Sequence, residues 1–376
     1  MKYYSLFSFL GLFIVSVFLQ QCRPANKSVS GTANAETSYY SINDYALVKK
    51  YDTHVHLNVY DSTFINQAKA DNFRLLTVNV SPAYYPPIVE QRSIAMRLVK
   101  DYPGQLAYAT TFSLDNWDSE EWQQKSLDYL KESFDKGAIA VKVWKNVGME
   151  LKDKSGKFVM IDNPKFDTLF NYMAEKHIPL IGHLGEPKNS WLPLEKMTIK
   201  SNQNYFSKHP EYHMYLHPEY PSYEDQIQAR DHMLEKHPDL KFIGAHLGSL
   251  EWSIDELAKR LDKFPNMAVD MAARLSGLQY QAVTNWNGVR EFFIKYQDRL
   301  IYATDLEAGG TINPPELEKR IHESWTRDWN FFVGDSIMHS TGFDAEFKGL
   351  KLPKAIVDKI YHENAEKWFP GINKYK

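Results

Sequence analysis

The residues best suited to chemistry stand at the ends of short apolar runs. Asp52-Thr53-His54-Val55-His56 closes the first of them. Residues i and i+2 of a strand share a face, so His54 and His56 can converge on one ion. Alone this pair says little, because a buried histidine more often satisfies a hydrogen bond. The pattern recurs, however. His183 ends a run in Ile-Gly-His-Leu-Gly-Glu, His246 ends another in Ile-Gly-Ala-His-Leu-Gly-Ser, and Asp305 a third in Tyr-Ala-Thr-Asp. Burying several imidazoles and a carboxylate together is costly unless they share a cation or a proton network. Histidine and carboxylate donors suit a borderline divalent ion such as zinc, or alternatively manganese or iron.

Eight short Val/Ile/Leu/Ala-rich runs read as buried strands: Tyr51–Val55, Arg74–Val80, Leu106–Phe112, Ala138–Val143, Pro179–His183, Lys241–His246, Met267–Asp270 and Leu300–Asp305. Helical patterns lie between them, as at Asp118–Lys136, Pro164–Lys176 (which opens with proline), Tyr223–Lys236 and Ser253–Phe264. The alternation predicts α/β architecture, either a (β/α)8 TIM barrel or a doubly wound sheet. The placement of polar residues decides for the barrel, where the C-terminal ends of all strands ring one mouth. Two long connections, Glu186–Pro221 and Leu306–Leu352, leave strand ends and should lie over that mouth. They carry Trp191, Tyr205, His209, His213, His217, Trp325, Trp329, Phe331 and Phe332. These either shape a substrate pocket or pack a satellite core beneath the loops.

From about Lys50 to Phe369 the chain resembles the amidohydrolase superfamily, in particular its amidohydrolase-related branch. His54 and His56 match the metal pair of strand one, His183 the histidine of strand five, and His246 that of strand six. Asp305 matches the strand-eight aspartate that binds metal or shuttles a proton. Asn364-Ala365 matches a pair that recurs in the branch's C-terminal helix. The resemblance implies a metal site of His54, His56, His183 and Asp305, with Asp305 and His246 as catalytic groups. It also marks Lys142 as a possible carboxylated lysine bridging two ions, with Lys145 its competitor. One ion is the favoured count and two the alternative. The implied reaction is cleavage of an ester, lactone or amide in a small organic substrate by metal-activated water. Decarboxylation or hydration by a related enzyme, or a barrel kept only for binding, are the alternatives. Arg274, Glu186 and His217 are candidate substrate-binding residues. Glu219 and Asp270 lie nearby, and Arg274 has the simpler option of a salt bridge to Asp270.

The chain has 376 residues, 43% hydrophobic and 24% charged, and a net charge of −3. That suits one globular barrel and shows no basic field for nucleic acid. No phosphate loop, dinucleotide fingerprint or nucleophile elbow is present. Residues 1–19 form an apolar run with Lys2 before it, short for a membrane span, and the single cysteine, Cys22, follows. This resembles a bacterial lipoprotein signal, although Gln20 and Gln21 stand where small residues are usual. It implies residues 1–22 as signal and lipidation site, a flexible tether at 23–40, and a catalytic domain at 41–376. The expected location is exported and membrane-anchored, on the periplasmic or cell-surface side, with a soluble periplasmic form as the alternative. Self-association is left open.

Overall fold

The computed structural model describes residues 38–82 and 84–373. The expected signal, Cys22 and most of the tether lie outside them. Tyr39 and Tyr40, expected in the tether, belong to the domain. Tyr39 pairs with Pro353, and the Tyr40 hydroxyl donates to Asp358 at 2.8 Å. No helix among the described residues is long and apolar enough to cross a membrane.

Eight parallel strands alternate with helices: β1 Lys50–Leu57, β2 Phe73–Val78, β3 Leu106–Thr110, β4 Ala140–Val143, β5 Leu180–Gly182, β6 Phe242–Gly244, β7 Met267–Asp270 and β8 Leu300–Ile301. A short ninth strand, β9 (Glu307–Ala308), pairs with β1. Hydrogen bonds along the intervening segment close the ring. Thr53 N donates to Tyr302 O (3.2 Å), Asp305 N to His54 O (2.8 Å) and His56 N to Leu306 O (2.9 Å). The fold is therefore a (β/α)8 barrel. Its interior is filled with Ala107, Ala109, Ile181, Ile243, Ala268 and Ile301, small and branched side chains of the kind that close-pack inside such a barrel. Trp368 and Phe369 belong to the same cluster. Just before them, the Asn364 amide donates to Gln297 O and Leu300 O (2.7 and 2.8 Å), tying the C-terminal helix to the start of β8.

Strands five, six and eight are shorter than the sequence suggests. The regular ladders end before His183, His246 and Asp305, although His183 N still donates to Val143 O (3.0 Å) and Asp305 N to His54 O. His246 and Asp305 both take left-handed backbone, with φ of 59° and 66°. The segment 306–352 is not a loop over the mouth. It holds a 20-residue helix, Pro314–Val333, and a hairpin of Ile337–His339 with Glu346–Lys348. Trp325, Trp329, Phe331 and Phe332 lie on that helix and are fully buried, and Trp325 stacks on Phe73 with centroids 4.0 Å apart. They are core residues rather than pocket walls.

Candidate active site

β1 carries a bulge between Asp52 and Val55 in its pairing with β2. Bulges re-aim side chains, and here His54 and His56 both face the mouth. His54 Nδ1 lies 2.9 Å from Asp270 Oδ2, His56 Nδ1 2.9 Å from Val78 O, and His246 Nδ1 2.8 Å from Ala272 O. Carbonyls and an ionised carboxylate only accept, so each Nδ1 carries the proton. Each Nε2 is then unprotonated and carries a lone pair. Burial, reinforced for His54 by Lys142, lowers the His54 pKa, and burial lowers that of His246 to about 3, so both rings are neutral. The Asp270 carboxylate is itself tied down, accepting from His246 N (2.8 Å) and Ala272 N (3.1 Å). Burial alone would raise its pKa, but its electrostatic interaction with His54 and the hydrogen bond from His54 Nδ1–H outweigh this and hold it low.

Asp305 Oδ1 lies 3.4 Å from His54 Nε2 and 3.2 Å from His56 Nε2. One ligand atom from each of these three residues fits within 4.8 Å of the others, close enough for a single ion. Although burial opposes it, the facing histidines, His246 first, hold the Asp305 carboxyl well below the usual range. His183 is not in this trio, but its ring lies 4.2 Å from that of His246, centroid to centroid. Its Nε2 is buried with no hydrogen-bond partner, and burial keeps it neutral. An orphaned buried nitrogen beside bare imidazole nitrogens and a carboxylate is the donor chemistry a divalent ion takes, so the residues present fit one.

Lys142 projects from β4 into this ring, with Nζ 3.1 Å from His54 Nε2, to which it donates. Burial lowers its pKa to about 8. Lys145 follows β4 as expected of a connecting residue, but it is buried. It forms an ion pair with the equally buried Glu186 and sits 3.6 Å from the ring centre of Tyr212. The cavity over these groups has a volume of about 350 Å³, and Tyr84, Tyr85, Trp144, Tyr205, Phe206 and Arg274 also line it. A larger hollow of about 690 Å³ adjoins it across Pro82 and Tyr85 but contains none of the histidines.

Of the candidates drawn from the sequence, His54, His56, His183, His246, Asp305, Lys142, Glu186 and Arg274 share this cavity. His217 does not line it. Its Nε2 faces Pro210 O at 2.8 Å, and its Nδ1 lies 3.5 Å from Glu219 on the inserted segment. That segment folds into 3-10 turns and a short α-helix, Lys200–Lys208, and satisfies its histidines locally; His213, for instance, meets Leu192 O. Asp270 orients His54 instead of pairing with Arg274. Its position as the last residue of β7, level with the other strand-end ligands, was the available signal. Lys145 and Glu186 were both candidates in the sequence, but nothing there pointed to their pairing, which spans a connection.

The sequence profile of the amidohydrolase family matches residues 51–371, and the chain belongs to that family. No curated protein matches the sequence. Similar solved structures include a 4-oxalomesaconate hydratase from Rhodopseudomonas palustris (13% identity, TM-score 0.42, covering 80% of this chain and 78% of that one). A dihydropyrimidinase from Brevibacillus agri is 11% identical, with a TM-score of 0.42 and coverage of 88% and 73%. An amidohydrolase from Pseudomonas aeruginosa is 12% identical, with a TM-score of 0.42 and coverage of 89% and 100%.

Proposed function

We propose that the protein is a metal-dependent hydrolase that cleaves an ester, lactone or amide in a small organic substrate. The observation that carries this reading is the common arrangement of His54, His56 and His246. Each commits Nδ1–H to a fixed acceptor and leaves an unprotonated Nε2, those of His54 and His56 lying 3.4 and 3.2 Å from Asp305 Oδ1. His54, His56 and Asp305 would hold the ion, with His183 completing the set. A divalent cation there supplies Lewis acidity and a water of lowered pKa. Asp305, ionised, takes a proton from the attacking water and passes it to the leaving atom. Asp270 holds His54 in the tautomer that ligation needs. His246, whose Nε2 carries no proton, offers that lone pair to an ion or to a substrate proton rather than to a substrate oxygen, and the aromatic wall excludes bulk water.

Lys142 favours a second reading of the same centre, with two ions. An amine 3.1 Å from His54 Nε2 competes for that lone pair, and carboxylation would turn the competitor into a bridging ligand. Elemental analysis tests both readings. The purified protein should hold about one equivalent of divalent metal. The double variant His54→Ala, His56→Ala should fold and lose it; full retention would remove the site assignment. A rise toward two equivalents with bicarbonate, abolished in Lys142→Ala, would establish the bridged pair.

A further inference from the structure

Three cations line the cavity, and two are already engaged. Lys142 donates to His54 Nε2, and Lys145 is held by Glu186. Arg274 is different. Among the described residues no carboxylate lies within 4.0 Å of it. Of its five N–H groups, one makes a hydrogen bond, from Nη1 to Ala273 O at 3.0 Å. Its Nε is buried and has no partner. A buried charged donor left unmatched costs more than an ordinary hydrogen bond returns, so such a group calls for a complement. The nearby acid Glu251 does not supply it. Burial favours its neutral form against the pull of Arg274, its Oε1 accepts from Lys188 N at 3.2 Å, and its Oε2, like Arg274 Nε, has no hydrogen-bond partner.

The backbone that carries the half-buried Arg274 is firmly placed. Ala273 N donates to Thr304 O (3.0 Å), Arg274 N donates to Met271 O (3.1 Å), and Ala273 holds a left-handed φ of 53°. Asp270, which orients His54, accepts from Ala272 N in the same turn. The turn that carries Arg274 is thus coupled to the group that sets His54. Much of the remaining wall is rings, Tyr84, Tyr85, Trp144, Tyr205 and Phe206, with Asn202 and Glu307 also lining it. At about 350 Å³ the cavity is at the small end for ligand sites, enough for one ring with its substituents.

We infer that Arg274 is the specificity-determining residue of this site, and that the substrate is a small cyclic or aryl compound whose carboxylate pairs with it. This deepens the hydrolase reading and rests on it for the reacting bond. Only arginine presents a planar fork that meets a carboxylate with two parallel N–H donors. The aromatic wall takes the ring, and the scissile bond then reaches the histidine cluster.

The test separates anion binding from hydrolysis. Metal-stripped protein is titrated calorimetrically with benzoate and with its neutral counterpart benzamide. The wild type should bind benzoate in preference. Arg274→Gln should weaken benzoate by at least about tenfold and leave little preference, and Arg274→Lys should fall between. Equal affinity for benzoate in the wild type and Arg274→Gln, or no benzoate binding at all, overturns the inference. Circular dichroism checks that both variants fold. Zinc-loaded protein is then assayed on phthalide-5-carboxylate and its methyl ester. In Arg274→Gln, kcat/KM should fall further on the acid than on the ester; equal losses count against the inference. If neither lactone is turned over while selective, Arg274-dependent benzoate binding persists, the hydrolase reading fails and the anion site stands.

Discussion

Asp305 joins the two roles that define the site, standing against two histidine nitrogens while on left-handed backbone. For a non-glycine residue that conformation costs roughly 1–3 kcal/mol and persists where its surroundings enforce it. Here the backbone N–H is fixed on His54 O at 2.8 Å. His246 and Ala273 share the left-handed region, so strain gathers at the ends of β6, β7 and β8, around the cavity. Asp305→Asn keeps size and hydrogen-bonding shape but removes the ionised oxygen that accepts a proton. It should fold and retain much of its metal, yet lose turnover by a factor of about 10² or more. Steady-state rates with metal analysis check this, and near-wild-type turnover would take Asp305 out of the mechanism.

β1 shows how an element sets the site. At its lower end Lys50 is fully buried, donating to Tyr45 O and Val48 O. Burial lowers its pKa from 10.5 to about 7. The nearby Asp71 carboxylate works against this shift, and the rings of Tyr45 and Phe73 lie 4.4 and 4.9 Å from Nζ. Between those two pH values the unfolded chain holds a proton that the folded one has released, so folding stability rises with pH across the window. Urea unfolding should show the wild type gaining on Lys50→Met from about pH 7 to 10.5, whatever their offset at pH 6; a constant difference would contradict the shift. Two residues along, buried Asp52 accepts from Thr304 N and Oγ1 and from Trp325 Nε1 (2.9 Å), clasping β1, the Asp305 segment and the helix Pro314–Val333 together. Trp325→Phe keeps the ring but strips one donor from a buried carboxyl, and should cost about 1–3 kcal/mol in the same measurement. An unchanged midpoint would mean that water replaces the indole. Strand-end spacing made the four histidines and Asp305 legible in the sequence, because period-two alternation sends such residues to one mouth. The helix Pro314–Val333 also had a signal, Leu317, Ile321, Trp325, Trp329 and Val333 at intervals of four, but its aromatic content fitted a pocket wall and a satellite core equally, inside what read as a loop. The Lys145–Glu186 pair and the fate of His217 were illegible, since both depend on how the inserted segment turns back on itself.

At the scale of the whole molecule, the lipid-anchor reading concerns residues outside those described and remains a proposal resting on Cys22 behind an apolar run. Cys22→Ser should move the protein from the membrane fraction to soluble or unprocessed forms, and unchanged fractionation with unchanged mature mass would end that reading. The domain itself is one barrel whose seam joins partners far apart in the chain: Thr53 and Tyr302, bonded across it, are 249 positions apart. The proposed ligands straddle that seam, His54 and His56 on one side and Asp305 on the other. Contacts at such separation carry a large loop-closure entropy and form late. A nascent chain therefore has no complete metal site until almost all of it has been made and the ring has shut. The ion would be taken from whichever compartment hosts that last step, so the cell's placement of folding, as much as the donor set, would choose the metal.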